Sequence, residues 1–313
     1  MARALVFPGQ GSQKAGMGRD LYDAHASARA VFDEVDEALG EKLSALIFDG
    51  PDDKLTLTAN AQPALMAVSM AVIRVLEEQG FDMASHAKYV AGHSLGEYSA
   101  LAAAGTFSVG DAARLLRTRG EAMQKAVPVG AGAMAALLGL DLDKAREVAA
   151  EAAVAGGVCE AANDNAPGQV VVSGDKAAVE RAVELAPAAG AMKAILLPVS
   201  APFHCALMQP AADVMAEALS SVAMNAPKVP LVANVRAAAV SDPEEIRKGL
   251  VEQVTGAVRW RESVLYMAAN GVDDFVEIGA GKVLTGLARR IDRALSGQAV
   301  GTAADAAAFA ATL

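Results

Sequence analysis

Residues 89–100 read YVAGHSLGEYSA: an apolar run, then Gly92-His93-Ser94-Leu95-Gly96, then good helix formers. One serine stands between two glycines at the point where a strand hands over to a helix. In a G-x-S-x-G turn the serine takes a strained backbone conformation, and the glycines let strand and helix approach without a side-chain clash. The hydroxyl is then presented at the positive end of the helix, where the Leu95 N–H is aimed at the oxygen that turns negative when a carbonyl is attacked. The same pentapeptide also fits an ordinary strand-to-helix connection. The strand before it and the helix after it favour a nucleophile at Ser94.

Strand, glycine turn, helix is α/β grammar, and it extends outward in both directions. Upstream, RALVFPGQGSQ reads as a short buried strand over 4–7 running into a glycine-bearing loop. The apolar spacing of 63–79 predicts a helix with Pro63 in its first turn and Gly80 as its stop. Downstream, Ser108 and Asp111 form a capping-box pattern opening a helix that ends before Pro128. Then AMAALLGL, KAREVAAEAA, GVCEAA, QVVVSG, AAVERAVELA and MKAILLPVS alternate strand, helix, strand, strand, helix, strand. That is the βαββαβ order of a ferredoxin-like unit.

Residues 130–198 are therefore expected as a ferredoxin-like subdomain inserted in a large α/β-hydrolase-like domain with a parallel sheet, formed by 1–129 and 199–313. In the second part of that domain, 203–219 predicts a helix, VPLVANV a strand, DPEEIRKGLVEQV and SVLYMAANG helices, and DDFVEIGAG a strand entering a glycine turn. KVLTGLARRIDRAL and an alanine-rich terminal segment close the order with helices.

Composition narrows the function classes. With 53% hydrophobic, 20% charged and only 4% aromatic residues, the chain can bury a large core and is not of the disordered kind. A net charge of −10 and a pI near 5.0 give no overall attraction to nucleic acid or to an anionic membrane. Cys159 and Cys205 form no disulfide framework and have no metal-ligand spacing, which fits a reducing cytoplasm. The apolar run before Pro8 is too short for a signal peptide, so a cytoplasmic location is expected. Two charge-free stretches approach membrane-spanning length, but each contains proline and polar groups that lipid would leave unsatisfied, so both are expected as buried segments.

A serine needs a base. Of the four histidines, His93 adjoins the serine and is expected to point away, while His25 and His86 sit in polar surroundings. His204, in VSAPFHCALM, lies just past a predicted strand and near a helix start, where the dipole disfavours imidazolium and keeps a neutral base. A buried histidine satisfied by backbone is the alternative. Cys205, among apolar residues without a base of its own, reads as inert core.

On the helix opened by Ser108, a step of about 100° per residue puts Ala112, Leu115, Leu116, Ala122, Met123 and Ala126 on one face with Arg119 in its middle. An unpaired buried guanidinium is costly, so Arg119 pairs either with a protein carboxylate or with the carboxylate of a substrate. PGQGSQ lacks the lysine of a phosphate loop and the third glycine of a dinucleotide fingerprint. As a glycine-freed loop it can bring the Gln10 N–H to the serine and complete an oxyanion hole with Leu95.

FPGQGSQ, GHSLGEYSAL, the arginine stretch around Arg119, NDNAPGQVVVSG, PVSAPFHCALM and IGAGKVLTGL together resemble the malonyl-CoA:acyl carrier protein transacylase family in order and spacing over nearly the whole chain. The resemblance implies ping-pong transfer of malonyl from coenzyme A to Ser94 and then to the phosphopantetheine thiol of acyl carrier protein, in support of fatty acid synthesis. His204 would be base then acid, Arg119 would hold the malonyl carboxylate, and the Gln10 and Leu95 N–H groups would form the oxyanion hole. Gln253 matches the position whose backbone carbonyl orients the histidine. Malonyl-CoA is then a substrate, no cofactor or metal is expected, and the protein is expected to act as a monomer. Ala280 departs from the proline the family often carries there, and Phe203 resembles the malonyl-selective form.

Two other readings stay open in the residues alone. A serine hydrolase shares G-x-S-x-G but would need an acid before the histidine and often an HGGG loop, which is missing. A carrier-binding scaffold with a vestigial turn would accept no acyl group. The cluster Arg289, Arg290 and Arg293 is the densest basic patch, as fits either a docking surface or a solvated helix face.

Overall fold

The computed structural model describes residues 2–313. Its strands are β1 (Arg3–Phe7), β2 (Tyr89–Gly92), β3 (Gly132–Leu138), β4 (Cys159–Ala166), β5 (Gln169–Asp175), β6 (Lys193–Leu196), β7 (Leu231–Ala233), β8 (Ala238–Val240), β9 (Asp274–Ile278) and β10 (Ser296–Val300). They form two sheets. The larger has the order β10-β9-β1-β2-β7-β8, parallel throughout except for the antiparallel β7-β8 pair. The smaller is antiparallel with the order β4-β5-β3-β6, and helices Leu142–Ala152 and Lys176–Leu185 pack on it. Read in chain order, that is the ferredoxin-like arrangement, set into an α/β-hydrolase-like domain.

Central parallel strands are covered on both faces and so run as continuous apolar stretches. β1 and β2 do so, with every residue buried except partly exposed Arg3. Helix Thr58–Glu78 lies on one face of the sheet against helices Ala26–Leu39 and Val109–Ala126, and Trp260–Ala269 and Val283–Ile291 cover the other. Helix Thr58–Glu78 is long and apolar enough to cross a membrane, yet 16 of its 21 residues are buried inside the domain.

That helix begins five residues before the predicted start at Pro63. Pro63 then sits inside the helix, where a lost N–H and a ring clash cost about 3 kcal/mol. Burying a single large apolar side chain returns about 1.5–3 kcal/mol, and this helix buries several. Packing outweighs the local penalty. The helix predicted over 203–219 starts later, as a 3-10 turn at Ala206–Met208 followed by Gln209–Ser220, because His204 has φ 59 and cannot continue a right-handed helix. β8 and β10, absent from the sequence reading, are edge strands of small or polar residues without a period-two pattern.

The register Phe7↔Gly92 sets the C-terminal ends of β1 and β2 side by side. The loops that follow them, carrying Gln10 and Ser94, therefore emerge together at the carboxyl edge of the sheet, where open α/β sheets present their crevice. The small subdomain is joined across that edge. The Val258 N–H donates to the Ala162 carbonyl at 2.8 Å, and Arg261 pairs with Asp164 at 2.8 Å.

Candidate active site

Ser94 occupies the left-handed region, with φ 53, which a non-glycine residue enters at a cost of order 1–3 kcal/mol. The turn is held by its neighbours. A Cβ on Gly96 would lie 2.2 Å from the Phe7 carbonyl oxygen, and one on Gly92 would lie 1.9 Å from the Gly96 carbonyl oxygen. Only glycine allows strand and helix to approach so closely. Asn234 clamps the turn: its Oδ1 accepts the Ser94 N–H at 2.8 Å and its Nδ2 donates to the Gly92 carbonyl at 2.6 Å.

The structure brings His204 to this serine across 110 residues of chain, with Nε2 at 2.8 Å from Ser94 Oγ. Its Nδ1 stands 2.9 Å from the Gln253 carbonyl and 3.1 Å from the Gly256 carbonyl, both at the end of helix Pro243–Thr255. Carbonyls only accept, so the ring proton belongs on Nδ1 and Nε2 is left as acceptor for the serine O–H. Burial, and then the nearby Arg119 charge, push the His204 pKa down to about 3. The ring is thus neutral at pH 7, for reasons other than the helix start invoked from the sequence.

Arg119 lies in the middle of the buried face of helix Val109–Ala126 and is 1% exposed. Its Nη1 donates to Gln62 Oε1 at 2.8 Å, and its Nη2 donates to Gln253 Oε1 at 2.8 Å and to Ser94 Oγ at 3.2 Å. The guanidinium also lies 5.7 Å from the centre of the Tyr98 ring. Its hydrogen-bond partners are neutral oxygens, so among the described residues no carboxylate pairs directly with its charge. Glu121, on the opposite face, is exposed and pairs with Lys125.

The Gln10 and Leu95 N–H groups have no acceptor within the protein among the described residues. Both residues line a small cavity with Ser94, Arg119, Gln62, Thr58, Met123 and Phe203. Gln10 is itself fixed through its side-chain Oε1, which accepts from Thr58 Oγ1 at 2.8 Å. Ser94, Gln10 and Phe203 also line a larger cleft of about 380 Å³, between the loops that follow β1 and β2 and the small subdomain's Asn163, Val171 and Leu197. The serine therefore sits where the larger cleft meets a small chamber that holds the Arg119 guanidinium.

Sequence reasoning missed several members. His93 turns from the serine, as expected, but its Nε2 meets Asn165 Oδ1 at 2.8 Å on the wall of the larger cleft. Gln253 contributes its side chain as well as its carbonyl. Glu97 and Asn234 were not anticipated: Glu97 follows the serine by three residues on a helix buried on every side, and nothing in its sequence pattern marks it. Burial pushes Glu97 up to about 7 against hydrogen bonds from Gln253 and Asn234 and the attraction of Arg119. Cys205 is buried with its thiol on the Pro202 carbonyl at 3.2 Å, and burial pushes its pKa up to about 11. It faces no base.

A family model described as acyl transferase domain matches residues 4–303. The chain is 47% identical over 297 residues to the malonyl CoA-acyl carrier protein transacylase of Bacillus subtilis, covering 95% of this chain and 92% of that one. It is 48% identical to the protein of the same name from Escherichia coli K12, covering 95% of each. Among solved structures, an acyl-carrier-protein-S-malonyltransferase from Bartonella henselae superposes with a TM-score of 0.97 at 60% identity, covering 100% of this chain and 99% of that one. A malonyl-transacylase solved in complex with its type II PKS acyl-carrier protein matches at 44% identity with a TM-score of 0.96, covering 100% of both.

Proposed function

Because the chain belongs to the malonyl-CoA:acyl carrier protein transacylase family, and is an acyltransferase, we propose that it moves malonyl from coenzyme A to the phosphopantetheine thiol of acyl carrier protein through a malonyl ester on Ser94. The observation that carries this reading is that one oxygen, Ser94 Oγ, lies 2.8 Å from His204 Nε2 and 3.2 Å from Arg119 Nη2. A base and a carboxylate-binding cation converge on one nucleophile.

In the first half-reaction Ser94 Oγ attacks the thioester carbonyl carbon while its proton passes to His204 Nε2. The oxygen that becomes negative is received by the Gln10 and Leu95 N–H groups. As the C–S bond breaks, His204 returns the proton to the departing coenzyme A sulfur. In the second half the carrier's thiol gives its proton to His204 and attacks the serine ester, and Ser94 recovers the proton on leaving. Arg119 holds the distal carboxylate of the malonyl group throughout, in bidentate fashion where both terminal nitrogens are offered. The Gln253 carbonyl steadies the imidazolium that forms transiently. The chemistry is supplied by side chains and main-chain N–H groups, with malonyl-CoA as substrate. Supply of loaded carrier to fatty acid synthesis in the cytoplasm is the corresponding role.

Intact-mass measurement of the protein mixed with malonyl-CoA tests the proposal. One added malonyl group, lost on addition of carrier protein with appearance of the loaded carrier, is expected. A Ser94→Ala variant that still gains the mass overturns the serine ester, and rapid hydrolysis without any acceptor thiol points instead to a hydrolase.

A further inference from the structure

Glu97 has no part in the transfer as written, yet it is a carboxylate 1% exposed on the first turn after the nucleophile. Its Oε2 accepts from the Asn234 N–H at 3.1 Å and from Gln253 Nε2 at 2.8 Å. The second bond has a directional consequence. A glutamine amide carries donors on one side and an acceptor on the other. With Nε2 held by Glu97 and by the Ser94 carbonyl at 3.0 Å, Oε1 is turned toward Arg119 Nη2 at 2.8 Å. The flipped amide would set Nε2 against the guanidinium and Oε1 against the carboxylate, opposing like groups on both sides.

We propose that Glu97 is a positioning residue of the carboxylate pocket: through the Gln253 amide it keeps Arg119 aimed at the space beside Ser94, and its charge competes with the substrate carboxylate for that guanidinium. This rests on the reading that Arg119 holds the substrate carboxylate. Two anions and one cation then share a buried site, and the better pairing has Glu97 protonated when the substrate is bound.

Glu97 is the group able to titrate near neutrality there. Burial lowers the Arg119 pKa, but a guanidinium starts so high that it keeps its charge; His204 is pushed down to about 3; burial lowers His93 and raises Tyr98. β2 and β7 carry no charged residue, and β1 and helix Thr58–Glu78 carry theirs at Arg3, Arg74, Glu77 and Glu78. Arg3 is paired with Asp274, Arg74 with Glu77, and Glu78 faces His25. As pH rises through about 7, Glu97 gains charge, so the affinity for a substrate carboxylate falls.

The test compares wild type, Glu97→Gln, Glu97→Ala and Arg119→Ala in acylation by malonyl-CoA and by acetyl-CoA, which has no distal carboxylate, from about pH 6 to about pH 8. Wild-type KM for malonyl-CoA is expected to rise severalfold over that range while that for acetyl-CoA stays level. Glu97→Gln keeps an oxygen for the same two N–H groups, so it should hold its malonyl KM within about threefold of wild type and lose the pH dependence. Glu97→Ala frees the Gln253 amide and should raise the malonyl KM about tenfold or more, relative to acetyl. A level wild-type profile, or an alanine variant that loses both acyl groups equally, overturns the proposal. If the alanine variant does not fold, the wild-type and glutamine profiles decide alone. Arg119→Ala separates the two layers: equal loss of both acyl groups there sinks the clamp itself, whereas selective malonyl loss there with unchanged Glu97 variants sinks only the role of Glu97.

Discussion

The main-chain carbonyl of Gln253 stands 2.9 Å from His204 Nδ1, where a serine triad would place a carboxylate. A carbonyl selects the same tautomer as a carboxylate but carries no full charge, so it orients the ring without raising its basicity strongly. The end of helix Pro243–Thr255 supplies the remainder, because its last carbonyls form the negative pole of the helix dipole. A side-chain substitution cannot remove that contact.

Gln253→Ala therefore separates two roles of one residue. The carbonyl on His204 survives, so the serine should still be acylated by acetyl-CoA at a rate within about threefold of wild type. The lost Oε1 leaves Arg119 Nη2 without its 2.8 Å partner, and the lost Nε2 leaves the Ser94 carbonyl without its donor. A hydrogen bond to a charged group is worth about 1.5–3 kcal/mol, so malonyl acylation should fall by about tenfold to a hundredfold in kcat/KM. Parallel kinetics with the two thioesters check this, and an equal fall for both would refute the separation.

The pH dependence of acylation follows from the buried ring. His204 is pushed down to about 3 by burial and by the Arg119 charge, against an unfolded value near 6.5. The neutral base is thus present throughout the range from about pH 5 upward, and the acid limb of kcat/KM for acetyl-CoA should lie well below the ordinary imidazole range. Stability takes the same sign. The unfolded chain binds a proton below about pH 6.5 that the native ring refuses, so this contribution is full above that pH and is lost as pH falls toward 3. Glu97 works oppositely: its folded pKa is raised to about 7, so its penalty is absent below its ordinary value of 4.5 and grows as pH rises to about 7. Urea unfolding midpoints of wild type and Glu97→Gln, compared across that range, should converge at low pH and diverge toward neutrality.

How far the site was legible depends on how local each feature is. The Ser94 turn is spelled in five consecutive residues, and the inward placement of Arg119 follows from helical period because helix Val109–Ala126 has one polar and one apolar face. The strands of the smaller sheet were legible from their apolar runs between helical patterns. Glu97 was not, since helix Gly96–Ala103 is buried on every side and has no polar face against which a lone carboxylate stands out. Asn234 and the Gln253 side chain were hidden for a different reason. Their meaning arises only where chain segments 140 and 159 residues away from Ser94 converge on it. β8 and β10 escaped because short edge strands need no apolar alternation to pair with a neighbour already in place.

Arg119→Lys is expected to behave much like Arg119→Ala toward malonyl. The guanidinium spans Gln62 on one side and Gln253 with Ser94 on the other, a fork that a single ammonium cannot fill. Malonyl acylation should fall by about a hundredfold or more, with acetyl acylation affected by less than about tenfold. Lysine restoring malonyl transfer to near the wild-type level would show that a point charge suffices and that the fork geometry is irrelevant.

Gly96→Ala tests whether the turn itself is held by contact. The added methyl would stand 2.2 Å from the Phe7 carbonyl oxygen and 2.9 Å from that of Pro8, both main-chain atoms of the β1 edge that cannot rotate away as a side chain would. The helix must then move off the strand. Because Leu95 precedes Gly96 directly and Ser94 Oγ is positioned to 2.8 Å from His204, even a displacement of about 1 Å should cost about a hundredfold in acylation. Alanine's better helix propensity offsets only about 1 kcal/mol of the strain, so thermal unfolding should also shift several degrees downward. A variant with wild-type Tm and wild-type malonyl loading would mean that the strand and the helix part without consequence, and that the close approach at Gly96 is not what seats the nucleophile.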